Sequence, residues 1–413
     1  MDIRLHLSQP IKKNPITITG SKSETNRLLL LQALFSGISI ENMSLSDDSD
    51  AMHAALSSDA EIIDIHHAGT AMRFLTAYFA QLEGRTLFLT GSPRMKERPI
   101  GILVDALRSL GAHIDYAEKE GYPPLKITGR KLTGSNIAIK ADVSSQYITA
   151  LLLIGAKLDN GLELTLEGKI TSTPYIKMTL ALLAQAGFAT SFVGNSITVR
   201  PSKNQKIEPR TFVVESDWSS ASYFYSIVAL APVGTEVALS TYKKDSLQGD
   251  STLADIYARM GVETVFNGNS IILRRNGSMP ETLHLQLDET PDIAQTIAIT
   301  CFGLGIGCTL TGLHTLKIKE TDRLEALKTE LDKLGGVVAL TAESLHLVAK
   351  EVGSSIKNCE HPVDTYNDHR MAMAFAPLAM IAPIKIRNSE VVSKSYPKFW
   401  EDLQSLGFSV EEV

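Results

Sequence analysis

Basic side chains stand at several positions where the sequence predicts the start of a helix. They are Lys22, Arg98 ahead of Pro99, Lys319 with Arg323, Arg370, and Lys394 ahead of Tyr396-Pro397. The helix dipole disfavours a cation at the N-terminus, typically by ~0.3–1 kcal/mol. One such residue is better explained as a solvated surface charge, but cations and free N–H groups at several helix starts can bind one phosphate together. The recurrence therefore predicts a site for a small, highly charged anion.

Local residue types support these helix starts. Ser21 and Glu24 form the pattern of a capping box, which places Lys22 and Ser23 in the first turn of a helix. Proline is favoured as the first helical residue, and it occurs at positions 99 and 397. We therefore expect a helix to begin directly after several of the basic residues.

Hydroxyl and amide side chains occur at matching places. They are Ser144-Ser145-Gln146 before an apolar helix, Ser172 and Tyr175 around Pro174, and Gly69-Thr70. Paired serines usually cap helices, and beside cations they can also orient a polar ring. A glycine lets an anion approach the backbone closely. These groups are candidates for the neutral part of the same site.

Two carboxylates lie among the predicted cations. Asp292 follows Pro291 at a helix start, and Glu320 lies between Lys319 and Arg323. The alternatives are an ordinary N-terminal acid for the first and a surface ion pair for the second. Proton transfer at neutral pH needs carboxylates within hydrogen-bond reach of the reacting atoms. Both residues are therefore candidates for acid–base chemistry.

Composition excludes several classes of function. The formal net charge is −6, whereas nucleic-acid-binding domains usually carry a strongly basic face. Cys301, Cys308 and Cys359 are three cysteines without CxxC spacing, so neither a disulfide framework nor a zinc site is predicted. His66 and His67 are adjacent on a predicted strand or turn and would point in opposite directions, which argues against a shared metal.

The sequence also contains no phosphate-binding loop of the Walker type, no GxGxxG after a strand and no nucleophile elbow. No apolar run reaches the roughly 20 residues that a membrane-spanning helix needs. We therefore expect a cytoplasmic protein that binds small molecules, not nucleic acid or membrane, and that uses no metal or other cofactor. A monomer is our expectation for the oligomeric state, although no sequence pattern determines it.

A helix, a terminating glycine and an alternating strand recur along the chain. The glycines are Gly37, Gly111, Gly187, Gly261, Gly335 and Gly407, spaced 72 to 76 residues apart. Glycine suits a left-handed helix C-terminus because it lacks a Cβ. The pattern is common in α/β proteins, but six evenly spaced examples predict a repeated unit.

A second helix type falls between these glycines and is apolar almost all round, which predicts burial. These helices open near Thr70, Ser145, Ser219, Asp292 and Asp368. Short apolar runs predict strands at 3–7, 16–18, 87–89, 137–139, 162–166, 197–199, 271–273, 283–287 and 345–347. Since 413 residues exceed the size of one hydrophobic core, we predict two α/β domains of three units each, with helices wrapped by sheets.

Six motifs together resemble the 5-enolpyruvylshikimate-3-phosphate synthase family of enolpyruvyl transferases. They are GSKS at 20–23 with Arg27, AGTAMR at 68–73, PRMKERPIG at 93–101, VSSQ at 143–146, KETDRL at 319–324 and YNDHRMAM at 366–373. The resemblance runs in order over about 20–400 of the chain. It implies two similar domains, each of three βαβαββ units, joined by two crossover strands, with the active site in the cleft between them. The domains would be 20–215, mainly for shikimate 3-phosphate binding, and 1–19 plus 216–413.

The resemblance also implies a reaction. The enolpyruvyl group of phosphoenolpyruvate would be transferred to the 5-hydroxyl of shikimate 3-phosphate, through a tetrahedral intermediate, on the pathway to chorismate. Implied shikimate 3-phosphate contacts are Lys22, Ser23, Arg27, Ser144, Ser145, Gln146, Ser172, Tyr175, Asp292 and Lys319. Implied phosphoenolpyruvate contacts are Lys22, Gly69, Arg98, Gln146, Arg323, Arg370 and Lys394.

Asp292 is the expected base at the 5-hydroxyl, and Glu320, assisted by Lys22, is expected to exchange the proton at the methyl carbon. The sequence departs from the family pattern at His67 and Thr315, where asparagine is typical, and at Phe74, where proline is frequent.

Two alternatives remain open on the sequence alone. One is the enolpyruvyl transferase that acts on UDP-N-acetylglucosamine, which typically carries a cysteine acid on a loop, whereas no cysteine precedes Cys301 here. The other is a non-catalytic anion-binding protein on the same scaffold, against which the presence of both Asp292 and Glu320 argues.

Overall fold

The computed structural model describes residues 1–9, 11, 14–141, 144–202, 208–349 and 361–413. Val143 of the VSSQ motif and Cys359 lie outside the described residues. The chain forms two compact units. We call Gly20–Val214 the continuous unit, and Met1–Thr19 together with Glu215–Val413 the split unit.

The described residues contain both helices and strands. The α-helices are α1 Lys22–Leu34, α2 Asp47–Leu56, α3 Gly69–Ala80, α4 Pro93–Lys96, α5 Gly101–Ser109, α6 Ser145–Gly155, α7 Thr173–Gln185, α8 Trp218–Leu230, α9 Leu253–Ala258, α10 Ala294–Leu304, α11 Arg323–Lys333, α12 His369–Phe375 and α13 Phe399–Leu406. Short 3₁₀ helices lie at Gly249–Thr252, Pro291–Ile293, His314–Ile318, Ala376–Met380 and Ser389–Lys394. No helix among the described residues is long and apolar enough to cross a membrane.

The strands are short and mostly amphipathic. They are β1 Ile3–Leu7, β2 Ile38–Glu41, β3 Ile62–Asp64, β4 Thr86–Thr90, β5 His113–Tyr116, β6 Leu125–Thr128, β7 Asn136–Lys140, β8 Leu162–Glu167, β9 Thr190–Val193, β10 Ser196–Val199, β11 Arg210–Val213, β12 Glu236–Ser240, β13 Val262–Asn267, β14 Ser270–Arg275, β15 Thr282–Gln286, β16 Gly307–Thr311, β17 Val338–Leu340, β18 Ser344–Leu347, β19 Ile384–Ile386 and β20 Phe408–Glu412. In β8 every second residue is buried, so one face of the strand packs on a core.

Three four-stranded sheets share one topology. Their orders are β3-β4-β6-β5, β7-β8-β10-β9 and β15-β16-β18-β17. In each sheet the first two strands are parallel and the remaining pairs are antiparallel. A parallel pair needs a crossover connection, which α3, α6 and α10 provide. The βαβαββ unit expected from the sequence is confirmed in these three sheets.

The other sheets are smaller: β12-β14-β13, β19-β1-β20 and β11-β2. The strand predicted at 16–18 is wrong, because Ile16 forms only a single parallel bridge to Leu239. At the chain ends, β1 lies between β19 and β20 and pairs antiparallel with both. The N-terminal strand therefore completes a sheet of the split unit.

The six regularly spaced glycines all adopt positive φ. Their angles lie between +78° at Gly261 and +112° at Gly407, a region that side chains with a Cβ rarely occupy. At Gly261 a Cβ would also lie 2.2 Å from the carbonyl oxygen of Ser278. The predicted left-handed helix ends are therefore confirmed.

The second helix type is buried, as its composition predicts. Every residue of α10 and α12 is buried, and so is α6 from Tyr147 to its end. Since apolar side chains surround these helices, each can be covered on all sides. Their N-terminal ends carry the polar residues of the candidate site.

Candidate active site

Arg323 forms the centre of a buried ion-pair cluster in the split unit. It is the first residue of α11, which Asp322 caps by accepting hydrogen bonds from the backbone N–H groups of Leu324 and Glu325. The guanidinium is only 2% exposed and pairs with Asp292 at 2.9 Å, Glu320 at 2.7 Å and Asp368 at 2.6 Å. A buried arginine needs such partners, and here three segments of the chain supply them.

Asp368 connects this arginine to a second one. Its Oδ1 caps α12 by accepting from the backbone N–H of Arg370 at 2.9 Å, and its Oδ2 accepts from Nε of Arg323 at 2.6 Å. The Asp368 side chain is completely buried. One carboxylate therefore fixes both the start of α12 and the orientation of Arg323.

Asp292 lies in the 3₁₀ helix Pro291–Ile293 and accepts from several cations at once. Its Oδ1 is 2.9 Å from Nη1 of Arg323 and 3.4 Å from Nζ of Lys319, and its Oδ2 is 3.1 Å from Nη2 of Arg370. Burial alone would raise the pKa of Asp292, but Arg370, Lys319 and Arg323 hold it far below its usual range. The carboxylate is therefore ionised at neutral pH.

A further carboxyl group lies behind Arg370. Nη2 of Arg370 is 3.4 Å from Oγ of Ser219, and that hydroxyl donates to Oδ2 of Asp250. Burial, together with the charge of Asp292, raises the pKa of Asp250 to about 7. Sequence reasoning placed Ser219 only at a helix start and missed Asp250, because nothing in its local pattern distinguishes it from an acid at the opening of a 3₁₀ helix.

Lys394 occupies a position different from the one predicted. It is the last residue of the 3₁₀ helix Ser389–Lys394, where a cation complements the dipole, and the next helix begins only at Phe399. Ser395 and Tyr396 both donate their backbone N–H to the carbonyl of Val392, which closes the earlier helix instead of opening a new one. The Lys394 Nζ donates to the carbonyl of Asn367 at 2.7 Å.

In the continuous unit, Arg98 lies against the first residue of α3. A Cβ built on Gly69 would be 2.5 Å from Nη1 of Arg98, so only glycine admits the guanidinium there. The predicted helix start at Pro99 is wrong. The backbone N–H groups of Ile100 and Gly101 donate to the carbonyl of Gly121, and α5 begins at Gly101.

Two side chains hold the segment that carries Arg98. Arg73 donates to the carbonyls of Gly69 at 3.1 Å and Pro99 at 3.0 Å, and Tyr147 donates its hydroxyl to the same Pro99 carbonyl at 2.6 Å. Both residues are buried. They fix the backbone on either side of the contact between Gly69 and Arg98.

The start of α6 contacts the start of α3. The Gln146 Nε2 donates to the hydroxyl of Thr70 at 3.2 Å, and Ser144 caps α6 by accepting from the backbone N–H of Gln146. Ser145 is the first residue of α6. The structure thus brings together the polar groups predicted at Gly69-Thr70 and 144–146, and the serine performs the capping role considered from the sequence.

Arg27 is buried and joins α1 to α7. Its guanidinium donates to the hydroxyls of Thr179 at 2.9 Å and Thr149 at 3.3 Å, and to the carbonyls of Ser23 at 2.6 Å and Tyr175 at 3.4 Å. These contacts use four of its five N–H donors. Burial lowers the pKa of Arg27 to about 10, so it remains protonated at neutral pH.

The predicted capping box at the start of α1 is wrong in one respect. Ser21 is the N-cap residue and Lys22 is the first helical residue, as expected, but the Ser21 hydroxyl caps nothing. It is buried without a hydrogen-bond partner among the described residues. Ser172 likewise precedes α7 without a side-chain cap, in a left-handed conformation with φ +54°.

The adjacent histidines His66 and His67 do not form a shared metal site. His66 faces Asp64 at 3.8 Å and His67 faces Asp47 at 3.7 Å, so the two rings contact different carboxylates. Within the part of the chain that the structure describes, no group of three His, Cys, Asp or Glu side chains is arranged to hold a metal ion.

The Thr315 hydroxyl is buried without a hydrogen-bond partner among the described residues.

Comparison with known proteins gives consistent matches. The model of the family "EPSP synthase (3-phosphoshikimate 1-carboxyvinyltransferase)" matches residues 54–403. A 3-phosphoshikimate 1-carboxyvinyltransferase of Bacteroides fragilis is 47% identical over 99% of both chains. One from Shewanella pealeana is 37% identical over 96% of this chain and 98% of its own length.

Two solved structures share the fold. An EPSP synthase from Acinetobacter baumannii superposes with a TM-score of 0.79 at 21% identity over the full length of both chains. The enolpyruvyl transferase NikO from Streptomyces tendae gives 0.72 at 15% identity, covering 100% of this chain and 99% of its own. The family model covers residues 54–403 and the curated relatives cover nearly all of the sequence, and the chain therefore belongs to the EPSP synthase family.

Proposed function

We propose that the protein transfers the enolpyruvyl group of phosphoenolpyruvate to the 5-hydroxyl of shikimate 3-phosphate, with release of inorganic phosphate. The observation that carries the proposal is the cluster in which Asp292 lies within 4 Å of the cations Arg323, Arg370 and Lys319, and Glu320 lies 2.7 Å from Arg323. It combines groups that bind an anion with groups that can move protons. Family membership supplies the identity of the two substrates.

Residues of both units are assigned to the substrates. For shikimate 3-phosphate we propose Lys22, Ser23, Arg27, Ser144, Ser145, Gln146, Ser172, Tyr175, Asp292 and Lys319. For phosphoenolpyruvate we propose Lys22, Gly69, Arg98, Gln146, Arg323, Arg370 and Lys394. Most shikimate 3-phosphate contacts then belong to the continuous unit, while both proton-transfer carboxylates belong to the split unit.

The reaction proceeds by addition and elimination. Asp292 accepts the 5-hydroxyl proton while the hydroxyl oxygen forms a bond to C2 of phosphoenolpyruvate, and C3 gains a proton from Glu320, assisted by Lys22. In the tetrahedral intermediate, Glu320 takes a proton back from C3 as the bond from C2 to the phosphate oxygen breaks, and the departing phosphate takes up the proton that Asp292 removed from the 5-hydroxyl. The surrounding cations stabilise the charge that develops on the phosphate.

The free protein holds Asp292 in a weakly basic state. Its pKa is low because Arg370, Lys319 and Arg323 all contact it. A phosphoenolpyruvate anion competes for the guanidinium groups of Arg323 and Arg370, and every contact that they transfer to the ligand raises the pKa of Asp292. The base thus becomes stronger when the second substrate is bound, which favours proton removal only in the ternary complex.

A coupled assay for inorganic phosphate tests the proposal. We expect release only when phosphoenolpyruvate and shikimate 3-phosphate are both present, without nucleotide and with the rate unchanged in chelator. UDP-N-acetylglucosamine, offered as the acceptor in a parallel reaction, should give no release. Binding of both ligands without release of phosphate would establish the non-catalytic alternative, and a rate that depends on added metal would contradict the metal-free mechanism. The monomeric state and cytoplasmic location stay predictions.

A further inference from the structure

A left-handed turn precedes Asp368 in the split unit. Tyr366 and Asn367 are consecutive non-glycine residues with φ of +53° and +55°. Such residues are strained and persist only when surrounding contacts hold them, a situation that recurs at functional sites. The turn therefore needs an external anchor.

This turn sets the contacts of several proposed phosphoenolpyruvate ligands. The Asn367 carbonyl accepts from Nζ of Lys394 at 2.7 Å. The next residue, Asp368, accepts from the side chain of Arg323 and from the backbone N–H of Arg370. Two adjacent residues thus fix the surroundings of three cations, so a small rotation of the turn would move all three.

The anchor of the turn is Glu330, two helical turns after Arg323 on α11. Its carboxylate is completely buried, and Oε1 accepts from the hydroxyl of Tyr366 at 2.6 Å. Its Oε2 accepts from the backbone N–H of Asp364 at 3.2 Å and pairs with Lys333 at 2.8 Å. The same carboxylate therefore binds the segment both ahead of the turn and at its first left-handed residue.

Tyr366 is only partly buried. The residue is 37% exposed, and its hydroxyl reaches inward to the buried carboxylate of Glu330 at 2.6 Å. Helix α11 then contacts the 364–368 segment along its length, through Arg323 with Asp368, Glu330 with Tyr366, and Lys333 with Asp364 at 2.7 Å. Of these three contacts, that of Glu330 with Tyr366 acts directly on the strained turn.

We propose that Glu330 and Tyr366 are positioning residues for the phosphoenolpyruvate site. Their hydrogen bond holds the left-handed turn in the conformation that presents the Asn367 carbonyl to Lys394 and the Asp368 carboxylate to Arg323. The inference rests on the proposed function, because that function assigns the three cations to phosphoenolpyruvate. Neither residue touches a reacting atom in this scheme.

The test is Tyr366→Phe, which removes one hydroxyl and keeps the ring. The KM for phosphoenolpyruvate at saturating shikimate 3-phosphate, measured by release of inorganic phosphate, should rise about 10-fold, as expected for partial loss of a hydrogen bond to a charged group. The dissociation constant for shikimate 3-phosphate alone should change less than about 2-fold, within the usual error of additivity. Tyr225→Phe is the matched control, since it deletes a buried hydroxyl that contacts Thr264 at 2.8 Å in the same unit.

A double-mutant cycle separates positioning from general stability. If the two residues act through one bond, Glu330→Gln combined with Tyr366→Phe should weaken phosphoenolpyruvate binding no more than the stronger single variant. The proposal would be overturned if the losses of phosphoenolpyruvate affinity in the two single variants were fully additive in the double variant. It would also be overturned if Tyr366→Phe weakened the binding of both ligands equally. If the wild-type protein released no phosphate from the two substrates, the proposed function would fail first, and the two failures are thereby distinguishable.

Discussion

Arginine side chains are positioned by different chemistry in the two units. In the continuous unit, Arg27 donates to hydroxyl and carbonyl oxygens, and Arg98 lies against the backbone of Gly69. In the split unit, Arg323 and Arg370 are held by carboxylates. A neutral acceptor orients a guanidinium without cancelling its charge, whereas a carboxylate orients and neutralises it. The continuous unit is therefore suited to hold an anion, and the split unit adds groups that can accept and return protons.

The pKa values of two buried arginines, Arg27 and Arg323, shift in opposite directions in the two units. Burial lowers the pKa of Arg27, and the opposing effects of Tyr175 and Glu24 only partly offset the loss of water. The pKa of Arg323 is raised despite its burial, because Asp368, Glu320 and Asp292 surround it. An anion that enters the continuous unit meets guanidinium charge that is only partly compensated, while one that binds Arg323 or Arg370 in the split unit must displace a carboxylate. Substitution of the carboxylates Asp292 and Glu320 in the split unit should therefore act on turnover, and substitution of Arg98 in the continuous unit on affinity.

The largest expected effect is that of Asp292→Asn. If Asp292 is the base at the 5-hydroxyl, kcat should fall by roughly 10²–10⁴-fold while both ligands still bind within a few-fold. Phosphate release and ligand titration measure the two quantities separately. Glu320→Gln should behave in the same way.

Asp322→Asn provides the control for these two variants. It makes the same kind of change one residue before Arg323, but asparagine caps helices as well as aspartate does. Activity should therefore be retained. Wild-type turnover in Asp292→Asn or Glu320→Gln would remove the proton-transfer role of that residue and reduce it to an orienting group for the cations.

Asp250→Asn should change the pH dependence of stability. The folded protein holds the pKa of Asp250 near 7, above its ordinary value of 3.8, so the folded state retains a proton that the unfolded state loses between these values. Stability from this group is present below pH ~4 and is lost as the pH rises towards ~7. At ~1.4 kcal/mol per pKa unit, the free energy of unfolding of the variant should increase by up to about 4 kcal/mol relative to that of wild type as the pH rises over this range.

Urea unfolding at several pH values checks this expectation. Asp364→Asn is a control of opposite sign, because Lys333 and Arg387 outweigh burial and lower the pKa of Asp364. Its stabilising effect is present above the ordinary pKa and disappears as the pH falls, so removing it should matter at neutral pH and not in acid. Parallel stability curves for wild type and Asp250→Asn would show that Asp250 ionises normally behind Arg370.

Arg98→Ala tests whether an arginine of the continuous unit contributes to phosphoenolpyruvate affinity. Loss of charge-assisted hydrogen bonds worth ~1.5–3 kcal/mol should weaken phosphoenolpyruvate binding roughly 10- to 100-fold and leave shikimate 3-phosphate binding nearly unchanged. Arg94→Ala is the matched control, since Arg94 lies on the same segment but is exposed and pairs with Glu97 at 3.0 Å. Equal losses for the two ligands would contradict the assignment of Arg98.

Patterns within one element were predictable from the sequence, whereas contacts between distant segments were not. Gly111 and Gly407 could be identified because a left-handed helix end requires glycine wherever the rest of the chain lies. Pro99 was misinterpreted because a carbonyl of another loop, that of Gly121, binds the N–H groups which follow it. The local preference for a proline at a helix start was overridden by this tertiary contact.

The candidate site shows the same division. Glu320 could be associated with Arg323 because three residues separate them at a helix start. Asp368 and Arg323 are separated by 45 residues, and Ser219 and Arg370 by 151. No local pattern encodes these pairs. They exist because α8, α11 and α12 bring their N-terminal ends together within the split unit.

The smallest expected effect, that of Tyr147→Phe, tests whether neutral acceptors position Arg98. The variant deletes the hydroxyl that donates to the Pro99 carbonyl at 2.6 Å, but Arg73 still donates to that carbonyl at 3.0 Å. The segment should therefore loosen without detaching, and phosphoenolpyruvate affinity should fall by about 3- to 10-fold, as for a typical hydrogen bond of ~0.5–1.5 kcal/mol.

The control for this variant is Tyr78→Phe, which alters a buried tyrosine far from the first residue of α3. Titration of both variants with each ligand separates local from global effects. Tyr147→Phe could weaken the binding of both ligands equally, or lower the unfolding midpoint without changing affinity. Either result would show that the Tyr147 hydroxyl stabilises the unit as a whole. Neutral acceptors would then not explain how Arg98 is held. The two units would differ only in that carboxylates position the arginines of the split unit.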